Sequence, residues 1–148
     1  MPTRLLSVEH YVQEVGTGCL AACAKMVLHY VGIEQSQRSL NQLLGLSSLG
    51  VPYTNLTRLG IHVDIQTGNE TQVEQALNHN LPVISFLLTG DLHYWQDNTS
   101  HAVVIVGYDD TDFYLNDPSF TIAPQRVQRN EFLLAWGEMD YAYATMTL

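Results

Sequence analysis

The stretch "EVGTGCLAACAKMVLHYVG", Glu14 to Gly32, sets two cysteines four residues apart at the head of an apolar run. Residues 20–31 read as a helix. Leu20, Cys23, Ala24, Val27, Tyr30 and Val31 fall on one stripe at helical spacing, and Gly32 is a natural stop. Cys19 stands just before or at the first turn, where unpaired backbone N–H groups and the positive end of the helix dipole gather. That field favours the thiolate, the nucleophilic form of a cysteine. Gly16, Thr17 and Gly18 precede it and are small enough to admit a substrate backbone and to turn N–H groups inward. Cys23, one turn later, lacks that field and reads as a buried small hydrophobe. Taken alone, Cys19 fits that same role better than it fits a nucleophile.

Outward from this helix the chain punctuates itself clearly. A second short helix is expected from Ser36, carrying Leu40, Leu43 and Leu44 and ending at Gly45. "VPYTNLTRLG" (51–60) reads as a turn with one or two helical turns. Ile61, Val63 and Ile65 alternate with polar residues, the mark of a half-buried strand. Thr71 and Glu74 suit a capping box for a helix through Leu77. "PVISFLL" (82–88) reads as a buried strand. "TGDLHYWQDNTS" (89–100) is too polar and turn-rich for an element and reads as a surface loop. Its Tyr94 and Trp95 read first as packing anchors and second as lining for a cleft entrance. "HAVVIVGY" (101–108) and "DFYLND" (112–117) are strands joined by a turn at Asp109–Asp112, hence a hairpin. Asn130 caps a helix over 131–137, and "YAYATMTL" (141–148) is a last alternating strand. Helices followed by a mostly antiparallel sheet give an α+β fold. At 148 residues this is one domain, 1–148.

Bulk composition narrows the function. Hydrophobic residues make up 46% and charged ones 14%, enough apolar material for a true core. The net charge of −9 repels phosphate backbones and anionic membranes, so no nucleic-acid partner is expected. No apolar run approaches the roughly 20 residues of a membrane span, and no signal peptide is visible, so no membrane insertion is expected. Two thiols that a helix holds in poor geometry for bridging point to a reducing, cytoplasmic setting.

A nucleophilic thiolate needs a base, and the base needs an orienting group. His101 opens a strand and Asp117 ends the next. In a hairpin turning near residue 110 the two meet at its open end, an arrangement suited to an imidazole held by a carboxylate. Gln13, six residues before Cys19, could donate its amide to an oxyanion beside the Cys19 backbone N–H. Read singly, His101 and Gln13 are ordinary surface or loop residues.

Three motifs in order carry a resemblance. Gln13, Cys19, Ala22 and Cys23 run into Met26-Val27-Leu28, Tyr30 and Gly32. "SHAVVIVGYDD" follows with His101 and Gly107-Tyr108-Asp109, and "YLNDPS" with Asp117-Pro118. "NEFLLAW", with Phe132 and Trp136, fits a late helix. Together they resemble the C39 family of bacterial cysteine peptidases, over about residues 8–147. The resemblance implies a papain-like fold, with N-terminal helices packed on a mostly antiparallel sheet. It further implies a peptide or protein substrate, no cofactor and no metal. Cys19 would be nucleophile, His101 base, Asp117 orienter and Gln13 oxyanion donor. Many family members form the N-terminal domain of peptide-exporting ABC transporters, whereas this chain is expected to stand alone. It departs from the family's usual Asp-Cys-Gly at Gly18-Cys19-Leu20. Leu20 sets an apolar side chain where glycine would leave backbone open, which would narrow the cleft or change which acyl group fits; with no transporter domain expected, cleavage after a double-glycine leader does not carry over directly.

Other readings compete. Cys19 and Cys23 with His29 or His101 could form a zinc site, but no second ligand pair follows, and His29 lies about 15 Å along the helix from Cys19. An acyl-enzyme could pass its acyl group to an amine or thiol, making the protein an acyltransferase or amidase. A non-catalytic peptide-binding module could keep the same fold. His10, His62, His79 and His93 read as surface or loop residues, with His93 a weak candidate for substrate contact.

Overall fold

The computed structural model describes residues 1–45 and 51–148. A two-residue strand β1 (Arg4–Leu5) precedes helix α1 (Cys19–Tyr30), helix α2 (Gln37–Leu44) and a 3-10 segment (Val51–Leu59). Strand β2 (His62–Thr67), helix α3 (Glu70–Asn78) and strand β3 (Val83–Leu88) follow. A 3-10 turn (Thr89–Asp91) opens the loop to β4 (Ser100–Tyr108). β5 (Asp112–Asn116), β6 (Gln125–Gln128), α4 (Arg129–Gly137) and β7 (Ala142–Thr147) complete the chain. The sheet is antiparallel throughout, in the order β2-β7-β3-β4-β5-β6, with β1 paired to the end of β4.

The unbroken apolar run of β4 has a simple cause. Ala102, Val104 and Val106 join the core shared with α1 and α2, while Val103 and Ile105 join the core shared with α3 and α4. A strand covered on both faces leaves no position for a polar side chain. The sheet is thus the middle of three layers.

Helix α1 is more deeply set than one stripe requires. Ala21, Ala22, Cys23, Ala24, Met26, Val27 and Leu28 are all buried, while Leu20 and Tyr30 are only half-buried. The small alanines let neighbouring elements come close on several sides. Two hydrogen bonds fix its front end. Tyr53 Oη donates to the Leu20 carbonyl at 2.7 Å, and Cys23 Sγ donates to the Ala102 carbonyl at 3.4 Å. Gly18 occupies the cap position, and an added Cβ there would lie 3.0 Å from Val15 Cγ2 and 3.1 Å from its carbonyl. The turn into α1 therefore leaves little room for a side chain at that point.

Several boundaries differ from the sequence reading. Ser36 and Gly45 bracket α2 as expected, the serine Oγ accepting from Ser39 N. At α3 the cap is Asn69, which accepts from Gln72 N at 2.9 Å, and not Thr71. Thr71 therefore lies inside the helix and the expected capping box does not form; Glu74 pairs with Arg129, 3.0 Å away. Helix α4 begins at Arg129, placing Asn130 inside its first turn. Ile61 is buried and Val63 packs against the α1–α2 core, while Ile65, farther along the edge strand β2, is exposed.

Candidate active site

Cys19 is the first residue of α1 and half-buried; His101 is the second residue of β4; Asp117 follows β5 directly. Antiparallel pairing of β4 with β5 sets Val104 opposite Asn116, which carries Asp117 to the end of the hairpin where His101 lies. His101 Nε2 donates to Asp117 Oδ1 at 2.7 Å, with both residues buried. That bond uses one ring nitrogen and leaves Nδ1 available toward Cys19, which lines the same cleft and raises the imidazole pKa.

Burial alone would push the imidazole toward its neutral form. The hydrogen bonds to Asp117 and Cys19, with the charges of both, outweigh burial and hold the His101 pKa at about 9. Burial likewise opposes ionisation of Asp117. His101, the Ser119 backbone N–H and the Trp95 indole outweigh it, so the carboxyl stays below its ordinary value. The site thus favours a protonated imidazole beside an ionised carboxylate.

Asp117 is satisfied on both oxygens. Oδ1 also accepts from Ser119 N at 3.0 Å. Oδ2 accepts from Tyr94 Oη at 2.8 Å and Trp95 Nε1 at 2.9 Å. The Trp95 ring stands edge-on to the His101 ring, with centroids 4.9 Å apart. A cleft of about 430 Å³ opens over Cys19 and His101. Its walls include Leu20, Trp95, Gln13, Gly16, Thr17 and Ser119.

Gln13 reaches this cleft, but its amide is engaged. Nε2 donates to the carbonyls of Val15 at 3.1 Å and Gly16 at 3.0 Å, and Oε1 accepts from Ser119 Oγ at 3.0 Å. Its backbone N–H donates to the Pro118 carbonyl at 2.8 Å. Ser119 therefore links the Asp117 turn to Gln13, a connection absent from the sequence reading. The signal for it was the Asp-x-Ser pattern of an Asx-turn. His93 does not face the cleft as a contact residue. Its backbone N–H and Nδ1 both meet Glu131 Oε2, at 2.9 and 2.7 Å. His29 pairs with Glu9 and Glu34 on the outside of α1, away from Cys19.

A sequence profile of the Peptidase_C39 like family matches residues 5–144. The chain belongs to that family. Solved structures share its fold at 17% identity. One is a Bacillus anthracis protein described as a C39-like peptidase, with a TM-score of 0.79 and 98% of each chain covered. A second is a double glycine motif protease from an AMS/PCAT transporter, solved in complex with its leader peptide. Its TM-score is 0.76, over 98% of this chain and 94% of that one. A third is the peptidase domain of Streptococcus ComA, a bifunctional ABC transporter of a quorum-sensing pathway, with a TM-score of 0.73 over 95% and 98%. No curated protein matches the chain. The C39-like fold is a mixed helix and antiparallel-sheet architecture, and none of the helices among the described residues is long and apolar enough to cross a membrane.

Proposed function

We propose that this C39-like domain hydrolyses a peptide bond through Cys19, His101 and Asp117. The reading is supported by the Asp117–His101 hydrogen bond together with Cys19 beside the same imidazole, Cys19 and His101 both lining one open cleft. The Cys19 thiolate attacks the carbonyl carbon, forming a carbon–sulfur bond as the carbonyl electrons move to oxygen. The Cys19 backbone N–H, free of an intrahelical partner at the helix start, donates to that oxyanion. Gln13 donates as the second group. Its amide hydrogens are held by the Val15 and Gly16 carbonyls, so donation exchanges one of those bonds as the substrate oxygen arrives.

His101 then gives its proton to the leaving amine, and the carbon–nitrogen bond breaks to leave a thioester on Cys19. Neutral His101 takes a proton from water, whose oxygen attacks the thioester. Collapse releases the carboxylic acid product and restores the thiolate. Asp117 holds the ring in one tautomer and steadies its charged form throughout. In serine triads the ring nitrogens serve in the opposite order, with Nε2 toward the nucleophile. Here Nε2 is committed to the carboxylate.

Trapping tests the reading. Wild-type protein and His101→Ala are incubated with candidate peptides, a double-glycine leader segment among them, and Cys19 is examined by mass spectrometry for an acyl adduct. An adduct that water resolves identifies a peptidase. One that resolves only on adding an amine or thiol makes the protein an acyltransferase. Absence of both adduct and cleavage across the peptide set contradicts an enzymatic role.

A further inference from the structure

The loop 89–100 takes no part in the chemistry above, yet it sends two adjacent side chains into the triad. We infer that Tyr94 and Trp95 are positioning residues that clamp Asp117 Oδ2, so that the carboxylate presents Oδ1 to His101. The inference rests on the proposed triad.

The carboxylate carries four donors, two on each oxygen. Tyr94 Oη and Trp95 Nε1 converge on Oδ2, while His101 Nε2 and Ser119 N share Oδ1. Rotating the carboxylate would break all four bonds at once at a fully buried residue, where lost hydrogen bonds are not replaced by solvent. The clamp also limits the imidazole. Trp95 stands edge-on to the His101 ring at 4.9 Å, and Phe120 packs edge-on to both clamp rings at 5.1 and 5.3 Å.

The loop behind the clamp is itself anchored. Glu131, in the first turn of α4, accepts from His93 N and holds its ring. Buried Thr89 donates to the Asp97 carbonyl at 2.6 Å and accepts from Thr99 N at 3.0 Å. Helix α4 contributes nothing to the cleft, yet through His93 it fixes the two residues that set the triad acid. Packing anchors alone need not aim two polar groups at the one oxygen His101 leaves unused.

The double variant Tyr94→Phe/Trp95→Phe keeps both rings and removes both donors. Three quantities are measured: the downfield His101 ring N–H proton by NMR, assigned by its loss in Asp117→Ala; kcat and KM on a cleaved peptide; and Tm. The expected result is a shifted or exchange-broadened ring proton and a kcat lower by about 10²-fold, the usual cost of small misplacement. KM should change far less than kcat, since an aromatic ring is kept at both positions, including Trp95 on the cleft wall. Glu131→Ala, which leaves both donors in place, should lower kcat in the same direction by less, and serves if the double variant does not fold. A variant that melts lower but retains the ring proton and wild-type kcat overturns the inference and leaves the triad standing. A wild-type protein with no Asp117-dependent ring proton, and with Cys19 alkylation indifferent to His101, removes the triad and the clamp with it.

Discussion

Cys23 Sγ donates to the Ala102 carbonyl at 3.4 Å and thereby ties the helix that carries Cys19 to the strand that carries His101. Cys23 lies one turn after the proposed nucleophile, and Ala102 lies one residue after the proposed base. Burial pushes the Cys23 thiol well up, and the charges of Cys19 and Asp117 add to this, so it remains a neutral donor. The two cysteines of the opening motif therefore have opposite chemistry: one faces the cleft and the other is a core contact.

This separation predicts an outcome for each thiol. Cys23→Ala should keep alkylation at Cys19 and lose about 1 kcal/mol of stability, typical of a small buried truncation. Cys19→Ala should abolish alkylation in the native state. Peptide mapping after iodoacetamide treatment separates the sites, and label at Cys23 in the folded protein would contradict the assignment.

The pH dependence follows from His101. Its folded pKa of about 9 lies above the ordinary value of 6.5. The stability it contributes is therefore complete below about pH 6.5 and is lost as pH rises through about 9. The basic limb of kcat/KM should fall in the same region, because the free protein there loses the imidazolium that pairs with the thiolate. Asp117 is depressed, so its contribution is present above the ordinary carboxylate range and is lost as pH falls below it. A basic limb centred near 6.5 would show that Asp117 and Cys19 do not hold the ring.

Gln13→Ala should reduce kcat by about 10²–10³, the cost of losing one oxyanion donor. Stability should change little by comparison, although the Ser119 contact and the Val15–Gly16 turn lose a partner. Steady-state kinetics on a cleaved peptide decide this. Near-normal turnover would restrict Gln13 to shaping the turn before Cys19.

Arg129 tests the scaffold apart from the chemistry. It pairs with Glu70 at 3.1 Å and Glu74 at 3.0 Å, donates to the Asp109 carbonyl, and lies 4.6 Å over the Phe113 ring. These contacts join α3, α4 and the β4–β5 turn. Arg129→Ala should cost about 2 kcal/mol, since charge-assisted bonds dominate but the carboxylates are about one-third exposed. Thermal melts measure the loss, while Cys19 alkylation in the folded state should be unchanged.

Local patterns made much of this legible. The run 19–32 revealed its helix because apolar spacing and Gly32 agree. The 101–117 hairpin was readable because two apolar runs flank an Asp-rich turn, and that hairpin alone brings His101 and Asp117 together. Contacts between loops left no such trace. Ser119 joins Asp117 to Gln13 across more than 100 residues, and Tyr94 and Trp95 reach Asp117 from a segment with no periodicity. The cap of α3 is Asn69 rather than Thr71, and Glu74 pairs with Arg129, distant in sequence. Such pairings depend on tertiary partners that a window of sequence does not contain.

The central claim is that the Cys19 thiolate is sustained by His101, and alkylation rates test it most directly. At neutral pH, iodoacetamide should label wild-type protein at Cys19 quickly, and His101→Ala should slow that labelling by about tenfold or more, because an isolated thiol is only a few per cent thiolate there. Equal rates at Cys19 in the two proteins, with both folded, would contradict the account.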